Sequence, residues 1–120
     1  MARILIIDDS EHIRHLLALT LKMKSHEITE ATNGQEGFDT LSQGGFDLVI
    51  CDVEMPVMTG LQFLEKVGSE LGADAPPCLI LTAEEKDTRE RAAALGASGV
   101  LTKPFEPMTL LSEIDKHLSS

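Results

Sequence analysis

The chain has 120 residues, 42% of them hydrophobic and 25% charged, with a formal net charge of −10. That length suits one domain with an ordinary core, and the acidic excess argues against holding nucleic acid or anionic lipid through the bulk field of the domain. No apolar run approaches a membrane span, and the run 4–7 meets Asp8 and Asp9 too soon for a secretory signal, so no membrane is expected and the cytoplasm is the default compartment.

Short aliphatic runs alternate with helical patterns. A strand is predicted over Arg3–Ile7, then a helix over 10–22 with Ile13, Leu16, Leu17 and Leu21 at helical spacing. A weaker strand, Glu27–Ala31, precedes a helix that runs to Leu41, for which Asn33 and Glu36 have capping-box spacing. A third strand is expected over 46–51 and a third helix over 60–67, with Leu61, Leu64 and Val67 on one face. After the turn signal at Pro76 and Pro77 comes a strand over 78–81. Asp87 and Glu90 repeat the capping-box spacing for a helix through Leu95, which Gly96 stops. A brief strand over 99–101 follows, and Pro107 suits the first position of a last helix with Leu110, Leu111, Ile114 and Leu118 inward.

Five strand–helix units of this kind imply an α/β domain with one parallel sheet covered on both faces. The first, third and fourth strands read as continuous hydrophobic runs, as doubly covered strands should. Cys51 and Cys78 both lie in apolar runs without metal-like spacing and are expected to be reduced core residues.

In open parallel sheets, ligands bind beyond the carboxyl ends of the strands. Here the first strand ends in Asp8 and Asp9, the third in Asp52 and the fourth in Thr82, and the fifth is followed by Lys103. Two like charges about 4 Å apart repel by roughly 4 kcal/mol at an effective dielectric near 20. Three clustered carboxylates therefore need a cation, and Lys103 supplies only one positive charge. With no Cys or His at the rim, the oxygen-only ligand set suits a hard divalent ion, above all Mg2+. Asp52 would then be a nucleophile toward a phosphoryl donor, with the metal and Lys103 neutralising the transferring group.

Taken together, Asp8-Asp9, Asp52 followed by Met55-Pro56 and Gly60, Thr82-Ala83 and Lys103-Pro104-Phe105 resemble the receiver domain of two-component response regulators, over essentially the whole chain. The resemblance implies a flavodoxin-like, doubly wound (βα)5 fold with strand order 2-1-3-4-5, and one receiver domain over 1–120 with no output domain. It also implies that Asp52 accepts a phosphoryl group from a phosphohistidine on a sensor kinase or a histidine phosphotransfer protein. Asp9, Asp52 and the backbone carbonyl of Glu54 would ligate Mg2+, and Asp8 would act mainly through a bound water. Thr82 and Lys103 would hold phosphoryl oxygens, Ala83 would leave room over the acyl phosphate, and the Lys103–Pro104 bond would be cis. New contacts from Thr82 and Lys103 are worth roughly 1.5–3 kcal/mol each, against about 5.5 kcal/mol for swinging a two-state switch fully over.

Two positions depart from the family pattern or vary within it. Val100 stands where many receivers carry Tyr or Phe three residues before the lysine. Output to a downstream protein through the face of helix four, strand five and helix five would then use backbone or packing shifts. Glu54 places an acidic side chain beside the phosphorylation site.

Other readings predict different behaviour. Asp8 and Asp9 would serve equally as caps for the first helix, and Thr82 alone as a strand-end hydroxyl. His12 and His15, three apart on the first helix, are expected to be an exposed pair rather than metal ligands. The methionines are read mostly as gap-fillers, Met55 and Met58 being loop exceptions. A phosphohydrolase of the haloacid dehalogenase type would want a second acid where Glu54 stands and a covering cap. A docking module that keeps only the fold would bind partners without phosphorylation. The expected role is a signalling domain and not an enzyme beyond self-phosphorylation and self-dephosphorylation.

Overall fold

A computed structural model describes residues 2–55, 57–83 and 86–118. Side chains alternate across a strand with a period of two, and here both sets are apolar. Leu5, Ile7, Val49, Cys51, Ile80 and Val100 face one side of the sheet. Ile4, Ile6, Leu48, Ile50, Leu79, Leu81 and Leu101 face the other. A sheet that is apolar on both faces requires helices on both.

The elements alternate as predicted: β1 (Arg3–Ile7), α1 (Glu11–Lys22), β2 (Glu27–Ala31), α2 (Gly34–Leu41), β3 (Leu48–Asp52), α3 (Gly60–Glu70), β4 (Cys78–Thr82), α4 (Lys86–Ala94), β5 (Gly99–Thr102) and α5 (Pro107–Leu118). A short 3-10 turn, Gly72–Asp74, follows α3. All strand pairs are parallel, in the order β2-β1-β3-β4-β5. Leu17, Ala18 and Leu21 of α1 pack with Leu110 and Ile114 of α5 on one face. Phe38 and Leu41 of α2, Phe63 and Leu64 of α3 and Ala92 of α4 cover the other. The expected flavodoxin-like doubly wound fold is therefore the observed one.

Local chemistry departs from the sequence reading in several places. The third strand starts at Leu48, because Asp47 turns back on β1: its carboxylate accepts from the Arg3 N–H at 2.8 Å. Phe46 instead lies under the Arg3 guanidinium, 4.8 Å from the ring centre. Asn33 does cap α2, accepting from the Glu36 N–H at 2.9 Å, but the Glu36 carboxylate turns to the N–H and hydroxyl of Thr32. The reciprocal capping box is at Thr59 and Gln62, at the start of α3. Asp87 lies within α4 (Lys86–Ala94) and not before it. Leu16 lies on the solvent side of α1 with Leu19, and the methionine reading is inverted: Met23 and Met108 are exposed, whereas Met55 is buried in the core and Met58 packs against it. The inward set of α5 is as predicted.

Both cysteines are buried and unpaired. Burial raises the Cys51 thiol well above its ordinary value and that of Cys78 to about 12, so neither is a thiolate at neutral pH.

Candidate functional site

Because the strands are parallel, their carboxyl ends share one rim. β1 delivers Asp8 and Asp9 there, β3 ends in Asp52, β4 in Thr82, and β5 leads into Lys103. Register ties the middle of the rim together: Asp52 stands opposite Leu81, and Thr82 opposite Thr102. The Val53 N–H donates to the Leu81 carbonyl at 3.0 Å, and the Lys103 N–H donates to the Thr82 carbonyl at 2.7 Å. The Lys103–Pro104 peptide is cis, as expected.

Asp52 is only 5% exposed and Asp8 1%, whereas Asp9 is exposed. Ligand oxygens of Asp8, Asp9 and Asp52 all lie within 4.8 Å of one another. The Lys103 ammonium reaches both buried acids, at 3.0 Å from Asp52 Oδ1 and 3.6 Å from Asp8 Oδ2. Thr82 is 1% exposed beside them.

Each polar group carries the cost of its burial. Desolvation pushes the Asp52 carboxyl above its ordinary value, as does the charge of Asp9, against the pull of Lys103 and of the Glu54 backbone N–H. Desolvation likewise raises Asp8, opposed by the Ser10 N–H that its Oδ1 accepts at 2.8 Å. Burial alone would lower the Lys103 ammonium. The hydrogen bond and charge of Asp52, with the charge of Asp8, outweigh it and leave the group above its ordinary value.

Three carboxylates against one ammonium leave an excess of negative charge in a partly desolvated pocket. Asp8 Oδ2 is buried without a hydrogen-bond partner, although buried polar atoms are nearly always paired. An all-oxygen donor set with a buried acceptor that lacks a hydrogen bond fits a hard divalent cation and its water shell.

The geometry gathers Asp8, Asp9, Asp52, Thr82 and Lys103 at one rim. The Glu54 side chain is exposed and stands outside the acid cluster, and its backbone N–H turns to Asp52. Pro56 and Glu84 lie outside the described residues. His12 and His15 are exposed, and neither belongs to a metal-like cluster among the described residues. Val100 is buried on the α4 side of the sheet. Arg14, which no motif singles out, donates to the Asp8 carbonyl at 2.7 Å.

A doubly wound parallel sheet with an acid cluster and one lysine at its carboxyl rim defines a class of α/β domain that binds its ligand beyond the strand ends. A family model described as the response regulator receiver domain matches residues 4–115. The chain is 34% identical over 116 residues to the response regulator GtcR of Aneurinibacillus migulanus, covering 96% of this chain and 47% of that protein. It is 33% identical over 111 residues to the uncharacterized transcriptional regulatory protein YkoG of Bacillus subtilis, covering 92% of this chain and 48% of that protein. Among solved structures, the chemotaxis response regulator CheY4 of Vibrio cholerae matches with a TM-score of 0.91 and 38% identity, over 98% of this chain and 99% of that one.

The chain belongs to the response regulator receiver family. It is a signalling domain of two-component systems, in which phosphorylation-based switching fits the site described above. It spans about half the length of the curated relatives it matches. Among the described residues, no helix is long and apolar enough to cross a membrane.

Proposed function

We propose that Asp52 is the phosphoacceptor of this receiver and that Asp8, Asp9, Asp52 and the backbone carbonyl of Glu54 hold Mg2+, Asp8 mainly through water. The observation that carries this reading is the 3.0 Å ion pair between Lys103 and Asp52, inside a cluster whose three acids lie within 4.8 Å of one another. When bound, Mg2+ would supply charge neutralisation and alignment for the phosphoryl group.

The donor is a phosphohistidine of a sensor kinase or a histidine phosphotransfer protein. The Asp52 carboxylate forms a bond to phosphorus as the phosphorus–nitrogen bond breaks, and the departing imidazole keeps the electron pair and takes a proton. Lys103 moves its contact from the carboxylate to the phosphoryl oxygens, and the Thr82 hydroxyl donates to another of them. Hydrolysis of the acyl phosphate by water returns the resting state, and a small phosphodonor such as acetyl phosphate substitutes for the protein donor. Exposed Glu54 is placed to influence the lifetime of that bond.

The downstream target is a protein that meets the α4–β5–α5 face. An open groove of about 560 Å³ lies there. Its lining includes Val100, Thr102, Pro104 and Phe105, so it continues directly from the segment that carries Lys103. With Val100 buried in place of an aromatic, the signal would pass through the backbone of residues 102–105.

Incubation with acetyl phosphate and Mg2+ tests the reading. Intact mass should rise by one phosphoryl group, the gain should map to Asp52, and chelation or D52N should abolish it. An unchanged mass, or a gain that survives D52N, would refute the assignment. Steady turnover of phosphate esters would point to a phosphohydrolase instead.

A further inference from the structure

Arg14 is a charged residue on α1 whose side chain is only 12% exposed. Its Nη1 donates to the Asp8 carbonyl oxygen at 2.7 Å, and its Nε donates to Glu30 Oε1, on β2, at 3.3 Å. The Asp8 N–H donates to the Ala31 carbonyl at 3.2 Å, and Asp8 Oδ1 accepts from Ser10. Asp8 is therefore held through its amide, its carbonyl and its carboxylate. Asp9 is exposed, and among the described residues no hydrogen bond orients its carboxylate.

The peptide unit between Asp8 and Asp9 is planar. Fixing its carbonyl fixes the plane, and with it the direction in which the Asp9 Cα leaves the strand. A guanidinium that grips this carbonyl positions the acid pair without neutralising either carboxylate. The Arg14 guanidinium is engaged by the Asp8 main-chain oxygen and by Glu30, not by the carboxylate of Asp8. The contact thus acts on geometry.

We infer that Arg14, braced by Glu30, is a positioning residue for the cation pocket: it sets the Asp8–Asp9 peptide and so aims the Asp9 carboxylate toward Asp8 and Asp52. The inference rests on the reading of that pocket as a magnesium site. Groups that orient metal ligands from behind typically change affinity by about 10- to 100-fold when removed.

The test is the Mg2+ affinity of the full chain by calorimetry, with the thermal midpoint of each metal-free variant measured in parallel. R14M keeps the aliphatic stem and removes every donor, and should weaken Mg2+ binding about tenfold or more. R14K can still donate to the Asp8 carbonyl but cannot hold Glu30 in a fork, and should recover part of the loss. E30Q alters a half-exposed brace, keeps the fold, and should weaken binding by less than R14M. A folded R14M that binds Mg2+ like the parent chain would overturn the inference, even if its midpoint falls. Should R14M fail to fold, unchanged affinity in both R14K and E30Q would overturn it equally. A parent chain that binds no Mg2+ would instead remove the magnesium reading, and this inference with it.

Discussion

The Lys103 ammonium lies 3.0 Å from Asp52 Oδ1 at the end of β3, and the same nitrogen is 3.6 Å from Asp8 Oδ2. One flexible side chain on the segment after β5 thus answers two buried acids delivered by β1 and β3. K103M would leave both facing each other without that cation. Leaving a buried acceptor unsatisfied costs about 1–3 kcal/mol, and K103M should lose stability in that range, measured by urea unfolding of the metal-free protein. It should also slow phosphorylation by acetyl phosphate, because the charge on the transferring group loses a partner.

The ionisation of Asp52 gives a pH test with a definite sign. Burial raises its folded value above the ordinary 3.8, so between those two values the folded chain holds more protons than the unfolded one. Stability then falls as pH rises through that window. D52N, which carries no charge, should be more stable than the parent at neutral pH in the absence of metal. That advantage should shrink as pH drops toward and below 3.8. Chemical unfolding across the acid range checks it, and an advantage that grows on acidification would contradict the assigned shift.

Val57 is strained. It is β-branched, 83% exposed, and has φ of 71°, a region that L-residues with a branched Cβ avoid. It belongs to the loop between Asp52 and α3. V57N should stabilise the protein by about 1 kcal/mol, since Asn tolerates this conformation and no packing is lost. Urea unfolding is again the measurement.

Gly60 marks where that same loop closes. A Cβ there would collide with the Asp52 carbonyl and sit 2.8 Å from the Val53 Cα. Both neighbours are backbone, so neither can swing aside. G60A should destabilise the protein by about 2 kcal/mol despite the better helix propensity of Ala. It should also lower the phosphorylation rate by displacing Asp52.

Much of this site was legible because parallel topology does the gathering. Once β1, β3, β4 and β5 are recognised as parallel strands, Asp8, Asp9, Asp52, Thr82 and the following Lys103 must share a rim, whatever their separation in sequence. Hydrophobic pattern also located β1, β3 and β4, because a doubly covered strand needs apolar residues at nearly every position. Pattern failed where a tertiary contact decided the outcome. Phe46 and Asp47 look like strand, but Arg3 claims one ring face and one carboxylate. Leu16 has the spacing of an inward residue, but it falls beyond the edge of the stripe that Leu17, Ala18 and Leu21 present to the sheet. Glu36 has the capping-box spacing, but Thr32 offers it an N–H and a hydroxyl together. Arg14 was invisible because it acts on a main-chain oxygen, which carries no sequence signature.

The central claim is that the three acids and the lysine form one magnesium-dependent phosphoacceptor pocket. A crystal structure of the chain with Mg2+ and beryllofluoride tests it most directly. Beryllium should be bonded to an Asp52 carboxylate oxygen, with Mg2+ on Asp9 and Asp52 and with fluorines contacted by Lys103 and Thr82. Beryllofluoride attached elsewhere, or Mg2+ bound away from these acids, would contradict it.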